Sequence, residues 1–140
     1  MPFEPQLLPA ITGDVDSLVV LDPGFAPNTI IPRDQGCTVR INWHMNGLLA
    51  LGLGGSWTVS AFLESIGPGI DRQFSVNVSL SAGTIVAPNR KDFQADVPVP
   101  AGVNAGIYKL VVAVTYTEPG GTAGPLAAYQ EGAMLQFFEP

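Results

Sequence analysis

One cysteine and one histidine are all that the chain offers to thiol or imidazole chemistry. Cys37 alone allows no internal disulfide and no cysteine-rich metal site. Any Ser-His-Asp or Cys-His arrangement has to use His44. Charge is scarce as well: six Lys or Arg stand against twelve Asp or Glu, 13% of the residues, where about 25% is usual. The six bases (Arg33, Arg40, Arg72, Arg90, Lys91 and Lys109) are scattered, and only Arg90 and Lys91 are adjacent. A net charge of -6 without a basic cluster excludes a phosphate-tracking surface, and with it nucleic acid as a partner. Long apolar runs are missing too. The longest, residues 48–53, is broken by Gly52 and falls far short of the ~20 residues that span a bilayer, so no membrane span is expected. Met1, Pro2, Phe3, Glu4, Pro5 and Gln6 carry neither a basic nor an apolar leader region. No signal peptide is expected, which makes the cytoplasm the default compartment.

What is abundant is apolar side chains, glycine and proline. The chain is 46% hydrophobic with 16 Gly and 13 Pro. That hydrophobicity excludes a disordered acidic tail, the prolines exclude a coiled coil, and the lack of a three-residue glycine period excludes collagen. A single globular domain of all-β class is the expectation.

Residues 1–16 hold Pro2, Pro5 and Pro9 and then Asp14 and Asp16, which favours an extended arm. Such an arm is either solvated or docked on a neighbour through Phe3, Leu7, Leu8 and Ile11. From Ser17 to the end the texture is that of one β-sandwich domain, residues 17–140. Residues 17–21 form a short apolar strand stopped by Asp22-Pro23-Gly24, a strong turn signal. In 37–45, Cys37, Val39, Ile41 and Trp43 share one face, while Thr38, Arg40, Asn42 and His44 share the other. Similar alternation runs through Trp57, Val59, Ala61 and Leu63, through Phe74, Val76, Val78 and Leu80, and through Phe93, Ala95, Val97 and Val99. Pro98 and Pro100 mark an edge or a strand end. The strongest strand, 107–117, places Tyr108, Leu110, Val112, Val114 and Tyr116 together. A last strand follows over 126–138, with a bulge expected at Gly132.

Seven to eight short strands without a helix imply a two-sheet antiparallel sandwich. Residues 97–116 (VPVPAGVNAGIYKLVVAVTY) sharpen the picture. They resemble the late part of immunoglobulin-like and fibronectin type III-like domains, in which a Pro- and Gly-bearing corner precedes a Gly-x-Tyr that opens the penultimate strand. The resemblance implies an immunoglobulin-like fold. It also implies that Tyr108 is a corner tyrosine bonded to upstream backbone, with Trp43 or Trp57 as the core tryptophan beneath it.

No constellation in the chain carries chemistry. Seven residues separate Cys37 from His44, which puts them on opposite faces of one strand and roughly 23 Å apart. No Gly-x-Ser-x-Gly elbow and no phosphate-binding glycine loop occurs. The pairs Asp14/Asp16 and Asp92/Asp96 lack further acids nearby and read as solvated side chains. No enzyme activity, cofactor or metal is expected. Leucines 48, 49, 51 and 53 stand out because they lie in a probable connection, where they either cap one end of the core or contact a partner. Ile66 and Ile70 flank a turn. The expected function is a non-enzymatic structural or interaction module that self-assembles or joins protein partners. Its candidate interface is Phe3, Leu7, Leu8, Ile11, Leu48, Leu49, Leu51 and Leu53. The alternative is a ligand-binding module, for instance for carbohydrate, which requires at least one of Trp57, Phe62, Tyr129 and Phe137 to be exposed.

Overall fold

In a computed structural model, which describes residues 12–47, 54–67, 70–118, 120 and 123–140, the described residues form nine strands and a single turn of 3-10 helix. The strands are β1 (Thr12–Leu21), β2 (Ile30–Pro32), β3 (Cys37–Asn46), β4 (Ser56–Ser65), β5 (Arg72–Ser79), β6 (Thr84–Ala87), β7 (Arg90–Val99), β8 (Gly106–Thr117) and β9 (Ala123–Phe138). The first sheet has the order β1-β3-β7-β6 and the second β2-β9-β8-β4-β5. Residues 12–16, which the proline pattern assigns to the arm, belong to β1, and all but the bulged Asp16 pair with β3. Among the described residues no helix is long and apolar enough to cross a membrane.

The alternation read in the sequence is what builds the core. Along β3, buried and half-buried residues alternate without exception, with Cys37, Val39, Ile41, Trp43 and Met45 inward. Desolvation of this inward position pushes the Cys37 thiol up to about 11. The two sheets meet face to face through one aromatic cluster. Trp43 of β3 stacks on Phe93 of β7 with centroids 5.5 Å apart. Trp57 of β4 stands edge-on to Trp43 at 6.0 Å and to Phe93 at 5.5 Å. Each such pair is worth about 0.5–1.5 kcal/mol beyond the area it buries.

Three details depart from the antiparallel sandwich of seven to eight strands. The second sheet is mixed: β2 runs parallel to the end of β9, Ile30 to Pro32 opposite Gln136 to Phe138. After β1 the chain folds back through a tight loop, with Leu21 bridged to Pro27, before it joins the second sheet, and the Arg33 amide still donates to the Phe138 carbonyl at 3.0 Å just past Pro32. The four-residue β6 is exposed throughout and so has no alternation to read. The tryptophans do not lie beneath Tyr108. Trp57 packs on Tyr116 at 5.8 Å, eight residues and roughly 26 Å along β8 from Tyr108, whose neighbour is Phe137 at 5.5 Å.

Other expectations are met. The Tyr108 hydroxyl donates to the Asn104 carbonyl at 2.8 Å, as a corner tyrosine does. The β8–β9 register shifts between Lys109 and Val111, opposite Gly132. A side chain at Gly132 would press on Leu110 and Leu18. Pro98 is accommodated because β6 covers β7 only over Arg90 to Asp92, so the Pro98 end of β7 has β3 on one side only.

Candidate ligand-binding face

Every second residue of β4, β5, β8 and residues 128–138 of β9 points away from the core, and pairing brings these residues into rows across the second sheet. One row is Tyr129, Ala113, Ser60 and Ser75. The next towards one end is Glu131, Val111, Phe62 and Gln73, and towards the other Thr115, Thr58 and Asn77 follow. Tyr129 is 46% exposed, and Phe62 is half-buried. Register places these two aromatics on either side of β8, about 12 Å apart along the diagonal. Ala113 and Ser60 face outward between them, yet only 5% and 7% of their surface is accessible. Tyr129 and Phe62 thus flank two small, covered side chains on the sheet surface.

The polar groups of this face are neutral and only partly engaged. Ser60 Oγ and Ser75 Oγ lie 2.8 Å apart. One hydroxyl hydrogen serves that bond and the other remains available. Thr58 donates to Asn77 Oδ1 at 3.1 Å, an arrangement that leaves the Asn77 amide hydrogens facing solvent. From the Tyr129 row to the β5–β4 end, the described outward side chains carry no charge. Charged groups enter only at the other end, where Lys109 pairs with Glu131 at 2.9 Å near Glu64.

The outer face of the first sheet is built the opposite way. Arg40 holds Asp96 with two bonds of 2.8 and 3.0 Å, and this guanidinium keeps the Asp96 carboxyl below its ordinary value. Arg90 holds Asp92 at 2.8 Å. His44 Nδ1 lies 2.7 Å from Asp16 Oδ1, and Asn42 donates to Ser17 Oγ at 2.8 Å. The Asp pairs singled out by spacing are thereby separated in role, each of Asp92 and Asp96 engaged by its own arginine. Asp14 sits opposite His44 across the strand pair, and Asp16 occupies the bulge beside it. No group of three His, Cys, Asp or Glu that could hold a metal occurs among the described residues.

A hollow of about 510 Å³ lies between the β1–β2 loop and Phe138, lined by Pro23, Ile30 and Pro32 among others. At its rim Phe25 takes a left-handed backbone (φ 59°) and is 61% exposed. The Asp22 side chain fixes this loop by accepting from the amides of Gly24 and Ala26 at 2.9 and 3.0 Å. The Arg40 guanidinium sits 6.0 Å from the Phe25 ring centroid.

Of the four aromatics named for a ligand, Trp57 and Phe137 are buried in the core, while Phe62 and Tyr129 share the outer face. Ile66 and Ile70 are 55% and 66% exposed. The eight interface candidates (Phe3, Leu7, Leu8, Ile11, Leu48, Leu49, Leu51 and Leu53) lie outside the described residues. Sequence reading missed Ser60, Ser75, Thr58, Asn77 and Thr115. Their signal was present as the off-phase positions of adjacent strands, all polar and all uncharged.

Fold and face define an all-β domain of two facing sheets. No protein-family model matches the chain, and no curated protein does. Among solved structures the chain is similar to the C-terminal domain of wzt, with a TM-score of 0.58 and 11% identity over 91% of this chain and 74% of that one. At that identity the likeness is one of fold.

Proposed function

We propose that the chain is a non-enzymatic recognition module whose binding surface is the neutral outer face of the second sheet. The ligand class is an uncharged, polyhydroxylated molecule, a carbohydrate. The observation that carries this reading is the grouping of exposed Tyr129 and half-buried Phe62 with the Ser60–Ser75 and Thr58–Asn77 pairs on one sheet face, whose described charges, Glu131, Lys109 and Glu64, are confined to the Phe62 end. A sugar presents C–H groups that rest on an aromatic ring and hydroxyls that both donate and accept. Asn77 supplies donors, the serine pair supplies one donor and lone pairs, and the Tyr129 hydroxyl supplies either. Around Tyr129 and the two polar pairs the described side chains offer a charged ligand no counter-charge.

The non-enzymatic half of the reading is supported by the placement of the two residues on which nucleophilic chemistry would depend. Cys37 faces the core, and His44 points out of the other side of β3, held by Asp16. An immunoglobulin-like class is supported by strand order. The orders β1-β3-β7-β6 and β9-β8-β4-β5 correspond to A-B-E-D and G-F-C-C′ of that fold, and the Tyr108–Asn104 bond corresponds to its tyrosine corner.

The test is calorimetric titration with a panel of neutral oligosaccharides: glucans, mannans and galactans. At least one is expected to bind the wild-type chain, and Tyr129→Ala is expected to weaken that binding at least about tenfold while Asp96→Asn preserves it. Silence across the panel, or binding indifferent to Tyr129, would refute the proposal.

A further inference from the structure

Four strands form the sheet edges: β1 and β6 in the first sheet, β2 and β5 in the second. Exposed edges invite pairing with another chain, and proteins blunt them with bulges, charges, proline or brevity. Three of the four are blunted. The register of β1 breaks between Val15 and Ser17, beside two aspartates. β2 has three residues and ends on Pro32. β6 has four, with a register shift between Ile85 and Ala87.

β5 has none of these devices. It runs eight residues without proline or glycine, in unbroken register with β4 from Ser79 to Arg72. Its single charge is Arg72, at one end. Phe74, Val76 and Val78 pack on the core but stay half-open at the margin. Among the described residues no strand pairs with its free side. β5 packs against β7 across the sandwich, which brings β6 to the same margin. There Ile85 and Val86 are 59% and 52% exposed.

We propose that β5 is a dimerisation edge, to which a second copy of this chain adds antiparallel about a two-fold axis at Val76. The occupant follows from self-complementarity. Directly opposed residues must share a face, and centring on Val76 places each Phe74 opposite the other copy's Val78. The inward row then reads Phe–Val, Val–Val, Val–Phe and continues both cores with aromatic and β-branched pairs. On the outer face Ser75 meets Asn77 and Gln73 meets Ser79. Arg72 lies beyond the paired residues, opposite the start of the 3-10 turn at Leu80, so no like charges oppose each other. The contact closes on itself, as a two-fold interface does. It also joins the two second sheets edge to edge and aligns their outer faces, an arrangement independent of what those faces bind.

The test is light scattering with size-exclusion chromatography on the full chain, without ligand. Wild type is expected at twice the chain mass. Ser75→Lys combined with Asn77→Lys sets two lysine pairs across the axis at exposed positions. It is expected to yield monomer, with a dissociation constant raised about a hundredfold or more. Mixing that protein with the Ser75→Glu, Asn77→Glu chain is expected to restore a mixed dimer. Should the charged variants fail to fold, oxidation of mixed Ser75→Cys and Asn77→Cys proteins supplies the same answer, because the buried Cys37 is inert. Cross-linking in the mixture beyond that of either protein alone supports the register. A monomeric wild type, a dimer that survives the lysines, or cysteine proteins that cross-link no better when mixed would overturn the proposal.

Discussion

The two outer faces of the sandwich rest on one core, yet they distribute polarity in opposite ways. On the first sheet polar side chains are engaged with each other: Arg40 with Asp96 and Arg90 with Asp92 as ion pairs, His44 with Asp16 and Asn42 with Ser17 by hydrogen bonds. On the second sheet the polar side chains around Tyr129 are neutral, hydroxyl- and amide-bearing, with the Lys109–Glu131 pair and Glu64 confined to the Phe62 end. A face whose charges are paired internally offers a ligand little, because binding there would first have to break those pairs. A face whose hydroxyls are half-engaged offers donors and acceptors at low desolvation cost. The scarcity of charge in the chain is therefore partly a matter of allocation, and the uncharged area coincides with the exposed tyrosine.

The comparison can be broken at its shared foundation. Trp57 touches Trp43, Phe93 and Tyr116 across the two sheets. Trp57→Ala is expected to cost about 3–5 kcal/mol in chemical denaturation and to unfold both faces in one transition. Two separate transitions would show that the faces do not share a core. Next in size is Tyr129→Ala, expected to weaken oligosaccharide binding at least about tenfold, or roughly 1.4 kcal/mol, with unfolding changed by no more than about 0.5 kcal/mol. Tyr108→Phe removes only the corner bond to Asn104 and is expected to lower stability by about 0.5–1.5 kcal/mol without touching binding.

The smallest effect separates the faces by pH. The Arg40 guanidinium holds the Asp96 carboxyl below its ordinary value. Its contribution is complete above the unfolded value of about 3.9 and disappears as pH falls through the lowered folded one. Acid titration of stability is expected to lose a small, salt-sensitive component in Asp96→Asn. Binding on the second sheet, which involves no acid or imidazole, is expected to stay flat between about pH 5 and 9. A pH-dependent affinity in that window would place the ligand on the charged face instead.

Much of this architecture is legible in the sequence because it rests on local periodicity. Inward residues of β3, β4, β7 and β8 follow from alternation, Gly132 marks its bulge, and the Gly-x-Tyr corner points to Tyr108. Features that depend on distant partners are not legible. The parallel pairing of Ile30 with Gln136 joins segments about a hundred residues apart, and nothing near Ile30 names its partner. Alternation shows that Trp43 and Trp57 point inward but not which row they occupy, so their distance from Tyr108 emerges only in three dimensions. The site is the clearest case. Ser60, Ser75, Asn77 and Tyr129 come from three strands, and only strand order and register make them neighbours.

Backbone amide shifts in two-dimensional NMR, recorded while the best-binding neutral oligosaccharide is titrated into the chain, test the central claim most directly. The account predicts that saturable changes concentrate at Thr58, Ser60, Phe62, Ser75, Asn77, Ala113 and Tyr129, with Arg40, His44 and Asp96 unmoved. Changes centred on Arg40, His44 and Asp96, with the second sheet silent, would contradict it.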